Sequence, residues 1–489
     1  MITIQPEREP DSVRSRVANM RFSGLTRRSF LKAALAAAVT DSALPGTKGV
    51  ADAAAADAAP AAQPKGKHTL IVLNPGHFHA ALTLRKRHPR LSDEVHVYAQ
   101  DGPDVESFLR IVQTFNERKQ DPTGWNLHVY RGQDYLQRLH AERAGDVVII
   151  AGKNDTKMSS IHRLHAEGFF VLGDKPWLID ASELEMLRQT TAMPPLATDI
   201  MTERYEIALL VQKALALEPE VFGRFRSGDD EPAFYMQSVH HLYKVVNDRP
   251  LVRPGWFFDT AVQGEGVTDV TTHLVDLAQW MTGGAEPFDY ERDVKLLAAR
   301  QWETDVPRDM FSRITGLPDF PASIRDRVSD GALHYLCNAS LSYSLRGIPV
   351  HLESIWALAI PEGGGDTLRA VLRGTRAELT IDQGPATRFL TELTVQPAQG
   401  SKNYAEVLDG AVASLQAPFP GLSFEPAGAG FRINIPPALR TTHEQHFAAV
   451  LEEFIAYIDS DRWPPSLGPD LVTKYTLLAR AKELSHRAA

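Results

Sequence analysis

Two short runs carry residue types that could do chemistry together. The first, Gly173-Asp174-Lys175-Pro176, closes an apolar run, Phe169-Phe170-Val171-Leu172, of the kind that forms a buried strand. A lysine at the carboxyl end of a parallel strand points into the crevice where such sheets bind ligands, and Pro176 fixes the chain direction after it. An ammonium there can stabilise charge developing on a substrate oxygen. The second run extends from Gly264 to Gly284 and holds Asp269, His273 and Asp276. Their spacing of i, i+4 and i+7 puts all three on one face of a helix. A carboxylate one turn before a histidine can orient the imidazole and raise its basicity, as a general base requires. Thr268 or Asp269 reads as the N-cap and Gly283 or Gly284 as the stop. Val270, Leu274, Leu277 and Met281 form the packing stripe between them. The bland alternative is a capping Asp and a core His. For Asp276, one turn deeper, a part in holding the helix outweighs a substrate contact.

These residues need a framework, and the first part of the chain supplies one. Short continuous apolar runs at His68–Asn74, Glu94–Ala99, Leu127–Tyr130, Asp146–Ala151 and Phe169–Leu172 alternate with helix-length segments, including Ala80–Arg87 and one through His162 and His165. That alternation predicts parallel βαβ units and a doubly wound, Rossmann-like sheet. Ligands of such sheets lie at the strand ends, which are Asn74–His79, Gln100–Asp104, Gly152–Asn154 and Gly173–Pro176. Aligned on G-x-G-x-x-G, the first turn reads Asn74-Pro75-Gly76-His77-Phe78-His79, and only the middle glycine survives. That glycine lets the backbone approach a pyrophosphate. Cofactor contacts are therefore expected from Asn74, Gly76, His77, Phe78, His79, Gly152, Asn154 and Lys175. Asp101 lies where an acid would bind a ribose hydroxyl, which favours NAD over NADP; a plain solvated turn acid reads almost as well. His77 and His79 are metal-ligand types, but the spacing is loose and no acid or thiolate is adjacent, so no metal is expected.

Composition narrows the classes. With 489 residues, 43% hydrophobic and 23% charged, the chain is an ordinary globular protein of two or three domains. Its net charge of −9 argues against nucleic acid as a partner. Cys337 is the single cysteine, so a disulfide scaffold is excluded, and its strand-like setting reads as a small buried hydrophobe. Thr26-Arg27-Arg28-Ser29-Phe30-Leu31-Lys32, followed by a weakly apolar run from Ala33 to Val39, resembles a twin-arginine export signal; a basic amphipathic helix is the alternative. The run is too short to span a bilayer, and Ala51–Ala62 reads as a linker. The expected divisions are 1–64 for signal and linker, 65–200 for the Rossmann-like domain and 201–489 for a second domain. The export machinery is an expected partner, the periplasm or the cell exterior the expected destination, and no membrane insertion is expected.

In order and spacing the two chemical motifs resemble those of the Gfo/Idh/MocA family of oxidoreductases. Gly173-Asp174-Lys175-Pro176 is similar to its Glu-Lys-Pro motif with Asp174 in place of Glu. Asp269-Val270-Thr271-Thr272-His273-Leu274-Val275-Asp276 is similar to its Asp-x-Gly-x-His-x-x-Asp helix start with Thr271 in place of Gly. Arg373–Ile381 and the helical stretches from His446 to His486 resemble the family's C-terminal part, and His240-His241-Leu242-Tyr243-Lys244 with Arg253-Pro254-Gly255-Trp256 resembles a periplasmic subgroup. The resemblance implies a second α+β domain with a large open, mainly antiparallel sheet that walls the substrate site and joins subunits into a homo-oligomer. It implies NAD(P)-linked oxidation or reduction of a sugar, polyol or glycoside hydroxyl, with Lys175, Asp269 and His273 at the catalytic positions. On that reading His273 takes the hydroxyl proton as hydride leaves the same carbon, Lys175 stabilises the alkoxide, and Asp269 orients His273 or binds a neighbouring hydroxyl. Lys244, Arg253 and Trp256 are types suited to gripping a sugar, with Asp276 as a further candidate. Export in the folded state would let the cofactor be loaded beforehand and held tightly. Two other readings share these residues: a lyase or hydrolase that oxidises a glycoside transiently with bound NAD, and a non-catalytic carbohydrate binder.

Overall fold

The computed structural model describes residues 66–192, 197–228, 231–246, 249–284 and 286–488; the expected export signal and linker lie outside them. Strands β1 (His68–Leu73), β2 (Leu91–Ala99), β3 (Asn126–Arg131), β4 (Val147–Ile150), β5 (Phe170–Asp174) and β6 (Ala197–Ile200) form one sheet in the order β3-β2-β1-β4-β5-β6. Every pairing in it is parallel. This is the doubly wound order, which reverses direction between β1 and β4 and opens its crevice there. Both central strands are continuous apolar runs because helices cover both faces: Leu70, Ile71, Val72, Val147, Val148 and Ile149 are all fully buried.

The crossovers are α1 (His79–Leu82), α2 (Pro103–Glu117), α3 (Tyr135–Glu142), α4 (Lys157–Ala166) and α5 (Leu184–Thr191). The first is one turn long, where the sequence predicts a helix over 80–87. Thr83 is one cause: its hydroxyl donates to the Ala80 carbonyl at 2.7 Å. Leu84 and Arg85 then donate three residues back, to Ala81 and Leu82, so the winding tightens into turns before Pro89.

Helix α6 (Ile207–Ala216) leads to a second, larger sheet. Its main path comprises β7 (Phe234–Tyr243), β8 (Val294–Pro307), β9 (Ala332–Leu345), β10 (Ile348–Ala359), β11 (Thr367–Arg373), β12 (Ala377–Gln383), β13 (Glu392–Pro397), β14 (Ser423–Ala427) and β15 (Gly430–Asn434). The order is β8-β9-β10-β7-β11-β12-β13-β15-β14, antiparallel except where β7 runs parallel to β10. The expected pair of sheets, one parallel and one large and mainly antiparallel, is thus present.

Three helices join the layers. Buried α7 (Thr271–Thr282) lies against the second sheet. Thr271, at the family's glycine position, donates to the Gly266 carbonyl at 3.1 Å and shares a hydrogen bond with Ser354 of β10 at 2.7 Å. α8 (His443–Ser460) returns to the first domain, where Phe447, Leu451, Phe454 and Ile458 share a core with Leu70, Val72 and Val97. α9 (Leu467–Ala488) stacks Tyr475 on Trp177, just past β5, with ring centroids 6.1 Å apart. Among the described residues no helix is long and apolar enough to cross a membrane.

Candidate active site

The carboxyl ends of β1, β4 and β5, the start of α7, β7, β10 and the first turn of α8 surround one cavity of ≈ 810 Å³. At its head the Lys175 Nζ lies 2.7 Å from Asp269 Oδ1. The second Asp269 oxygen accepts from the Trp356 indole at 3.1 Å, and Gln263 Nε2 stands 3.4 Å from Oδ1. Burial alone would raise the Asp269 carboxyl, but the Lys175 ammonium holds it below the ordinary range, so the pair is ionic.

His273 lines the same cavity and is 7% exposed. Burial, then the neighbouring Lys175 charge, holds its pKa well below the ordinary value, so the imidazole is neutral at pH 7. Its Nδ1 is buried with no hydrogen-bond partner. The expectation that Asp269 orients this ring needs correcting. α7 begins at Thr271, which leaves Asp269 in the preceding turn and its carboxylate on Lys175 and Trp356. His273 is therefore not tethered by an acid.

Asp276 also leaves the site. It is 1% exposed and faces away from the cavity, with Arg204 Nε and Nη2 each 2.6 Å from its oxygens and Lys474 Nζ at 2.7 Å. It is a buried structural anion rather than a substrate contact.

The residues expected to contact the cofactor divide. His77, Phe78, His79, Gly152, Asn154 and Lys175 line the cavity. Asn74, Gly76 and Asp101 do not. Asn74, at φ 41°, accepts from the Gln100 amide at 3.2 Å and ties β1 to the end of β2. The Asp101 side chain is 76% exposed and pairs with Arg131 at 3.3 Å, which is the solvated-turn alternative. Asn154 spends its amide on the protein, donating to the Gln263 carbonyl at 2.7 Å and accepting from Lys157 at 2.5 Å.

Of the sugar-gripping candidates, Lys244 and Arg253 line the cavity, each with partners of its own. Lys244 pairs with Asp366 at 2.8 Å, and His241 bonds the other Asp366 oxygen at 2.9 Å. Arg253 donates to the carbonyls of Leu242 and His241 at 2.9 and 3.0 Å and lies 4.8 Å from the centroids of Phe257 and Trp356. Trp256 instead donates to Asp104 Oδ2 at 2.9 Å and covers Gly76, so it clasps the two domains.

Trp356, Gln263, Glu203 and His443 escape the sequence reading. Trp356 lies in a strand with no motif around it. His443 follows Thr442, whose backbone N–H is capped by Gln445 at 2.8 Å; that Thr-x-x-Gln box was the one legible signal. Burial pushes the Glu203 carboxyl up to about 7. Cys337 is 3% exposed and burial pushes its thiol up to about 12, so it is the inert hydrophobe expected.

A parallel doubly wound sheet, an open second sheet and a buried lysine–aspartate–histidine head define a two-domain oxidoreductase of the Gfo/Idh/MocA type. The chain belongs to the family described as "Putative oxidoreductase C terminal domain", whose model matches residues 211–486. A crystal structure of an oxidoreductase from Parabacteroides merdae is 37% identical, with TM-score 0.84 over 87% of this chain and 99% of that one. More distant likenesses share the fold alone. GenD2 from gentamicin A biosynthesis, in complex with NAD, is 15% identical with TM-score 0.52 over 89% and 98% of the two chains. KijD10, a 3-ketoreductase from Actinomadura kijaniata in complex with TDP-benzene and NADP, is 13% identical with TM-score 0.51 over 86% and 98%. No curated protein matches by sequence.

Proposed function

We propose that the protein is a nicotinamide-linked oxidoreductase acting on a carbinol of a sugar or related polyol, bound in the cavity under Lys175 and His273. The observation that carries this is the convergence on one cavity wall of a neutral imidazole, His273, and a lysine held in an ion pair. The NAD and NADP held by GenD2 and KijD10 support the cofactor class.

The residues at the cavity head suit a nicotinamide. Gly152 presents bare backbone to the cavity and packs against the first turn behind it: a Cβ there would stand 2.7 Å from the Asn74 carbonyl oxygen and 3.2 Å from the Gly76 nitrogen. Gly152 and Lys175 would flank the ring, which supplies the place for a hydride when bound. The first turn offers less. The amides of Gly76 and His77 already donate to the Ala151 carbonyl at 3.1 and 3.0 Å. A Cβ on Gly76 would meet Asp104 Oδ2 and Trp256 Cζ2 at 3.2 Å, so the pyrophosphate finds an acid and an indole instead of open amides.

The chain's own groups have clear tasks. His273 accepts the proton of the reacting hydroxyl. Lys175 places positive charge where the alkoxide develops, and Asp269 with Trp356 fixes the direction of that ammonium. Lys244 and Arg253 position hydroxyls farther along the wall. Retention of the cofactor rests on the cavity head rather than on the first turn, and the twin-arginine route delivers the folded protein to the periplasm or the cell exterior, where copies associate through the second sheet.

His273→Asn should lower single-turnover reduction of the nicotinamide by about 10²–10⁴-fold while sugar binding changes little. Denaturation of the purified protein should release a dinucleotide, read by its absorbance and mass. An unimpaired His273→Asn variant, or a protein that neither releases nor binds a dinucleotide, would sink the reading.

A further inference from the structure

Two departures from the related motifs meet in space. His79 stands at the third position of the glycine pattern, and Asp174 replaces Glu before Lys175. The fold brings them together: His79 Nδ1 lies 3.1 and 3.0 Å from Asp174 Oδ1 and Oδ2, and His77 Nδ1 lies 3.4 Å from Oδ2. One ligand atom from each of the three lies within 4.8 Å of the others. We propose that His77, His79 and Asp174 form a binding site for a first-row divalent transition-metal ion on the wall of the cavity.

The spacings suit an ion. Ligands about 2.1 Å from a metal stand about 3.0 Å apart in an octahedron and about 3.4 Å apart in a tetrahedron. The two measured nitrogen–oxygen separations, 3.0 and 3.4 Å, lie within the range that those edges span. A His79–Asp174 hydrogen bond would explain the first separation alone. It leaves His77 Nδ1 buried beside a carboxylate with no hydrogen-bond partner.

The surroundings hold the carboxylate in place. Asp174 Oδ1 accepts from the Lys175 amide at 3.0 Å, while the Asp174 carbonyl accepts from the Lys157 ammonium at 2.9 Å. Such outer contacts fix the direction of a ligating carboxylate and leave Oδ2 toward the two rings. Two imidazoles and one carboxylate select Mn, Fe, Co or Zn over Mg or Ca, which take oxygen alone. All three side chains line the cavity, so the remaining coordination positions face its contents. Resting on the polyol reading, those positions would face hydroxyl oxygens of the sugar, which an ion there would polarise. The sequence conceals the site because the acid comes from the end of β5, far along the chain from the two histidines.

The test is a Co(II) titration of the full-length protein after treatment with a chelator, followed by visible d–d absorption. The expected result is saturation near about one ion per chain, with Zn(II) competing for it. His77→Gln, on the cavity wall, and Asp174→Asn, which keeps its shape, should each weaken binding by at least about 10–100-fold, since even outer-shell changes cost that much. Circular dichroism checks that each variant is folded. No absorption change with Co(II), or binding unaffected by a folded His77→Gln variant, overturns the site. Dinucleotide release on denaturation is read separately: a protein that releases dinucleotide but takes up no ion loses only this proposal. One that binds the ion but no dinucleotide loses only the nicotinamide reading.

Discussion

Asp269 and Asp276 lie two helical turns apart in sequence, and each has a lysine at 2.7 Å, yet the two ion pairs do different work. Asp276 is enclosed by Arg204 and Lys474, and Lys474 also reaches Asp199 at 2.6 Å. The space beside it is ≈ 70 Å³, room for about two water molecules. Asp269 has one cation, an indole and an amide, and its lysine borders ≈ 810 Å³ of open cavity. A buried carboxylate saturated by fixed cations stabilises; one with a single cation at an open wall leaves that cation able to act on a ligand. The difference lies in the surroundings, not in the pair.

The comparison breaks most visibly at Asp276. Asp276→Asn leaves Arg204, a quarter exposed, without its anion and Lys474 with Asp199 alone, and should cost about 3 kcal/mol of stability. Denaturant midpoints at constant slope would measure it; a loss matched by Asp269→Asn would erase the distinction. Lys175→Met comes next. It should lower the rate by roughly 10²-fold, about 2.7 kcal/mol in the barrier, through lost charge at the alkoxide. Its stability cost should stay near about 1–2 kcal/mol, because water from the cavity can reach the abandoned Asp269. Rates and midpoints on the same preparation separate the two effects, and a Lys175→Met variant that loses only stability would place this pair with the other.

Much of this was legible in the sequence, and the limits are physical. Continuous apolar runs such as Leu70–Leu73 and Val147–Ile150 announced a parallel sheet, and Lys175 at a strand end announced the crevice. Lys175, Asp269 and His273 do converge. What periodicity could not supply was direction. The spacing of Asp269, His273 and Asp276 put them on one helical face, but Asp269 falls before the helix and Asp276 turns to Arg204, a residue with no motif around it. Trp256 shows the same limit. Its type suits sugar stacking, and only the fold reveals Asp104 as its partner. His77 and His79 lacked an acid nearby in sequence, whereas β5 places Asp174 beside them in space.

A third ion pair, at the opposite end of β1, sets the weak limit of the series. His68 Nδ1 lies 2.6 Å from Asp146 and its Nε2 lies 3.3 Å from Asp459, at the rim of the first sheet. The bond to Asp146 raises the His68 pKa above its ordinary 6.5, against the opposing effect of burial. That contribution is fully present below about pH 6.5 and is lost as pH rises through the raised value. Burial works against Asp146 too, but His68 holds its carboxyl below the ordinary 3.8, so the acid's share is lost only as pH falls through that lowered value. The pair therefore stabilises between about pH 4 and 6.5 and fades in alkali. With the Asp146 side chain 45% exposed, solvent screening limits its worth to about 0.5–1 kcal/mol. His68→Gln should lower the stability read from denaturant midpoints by that amount near about pH 5.5 and by less near about pH 8.5. Asp276→Asn should be equally damaging at both, because Asp276 lies far below its ordinary range and its partners are an arginine and a lysine. A His68→Gln loss that grew with pH would mean that burial of the neutral ring, and not its charge, ties β1 to Asp146.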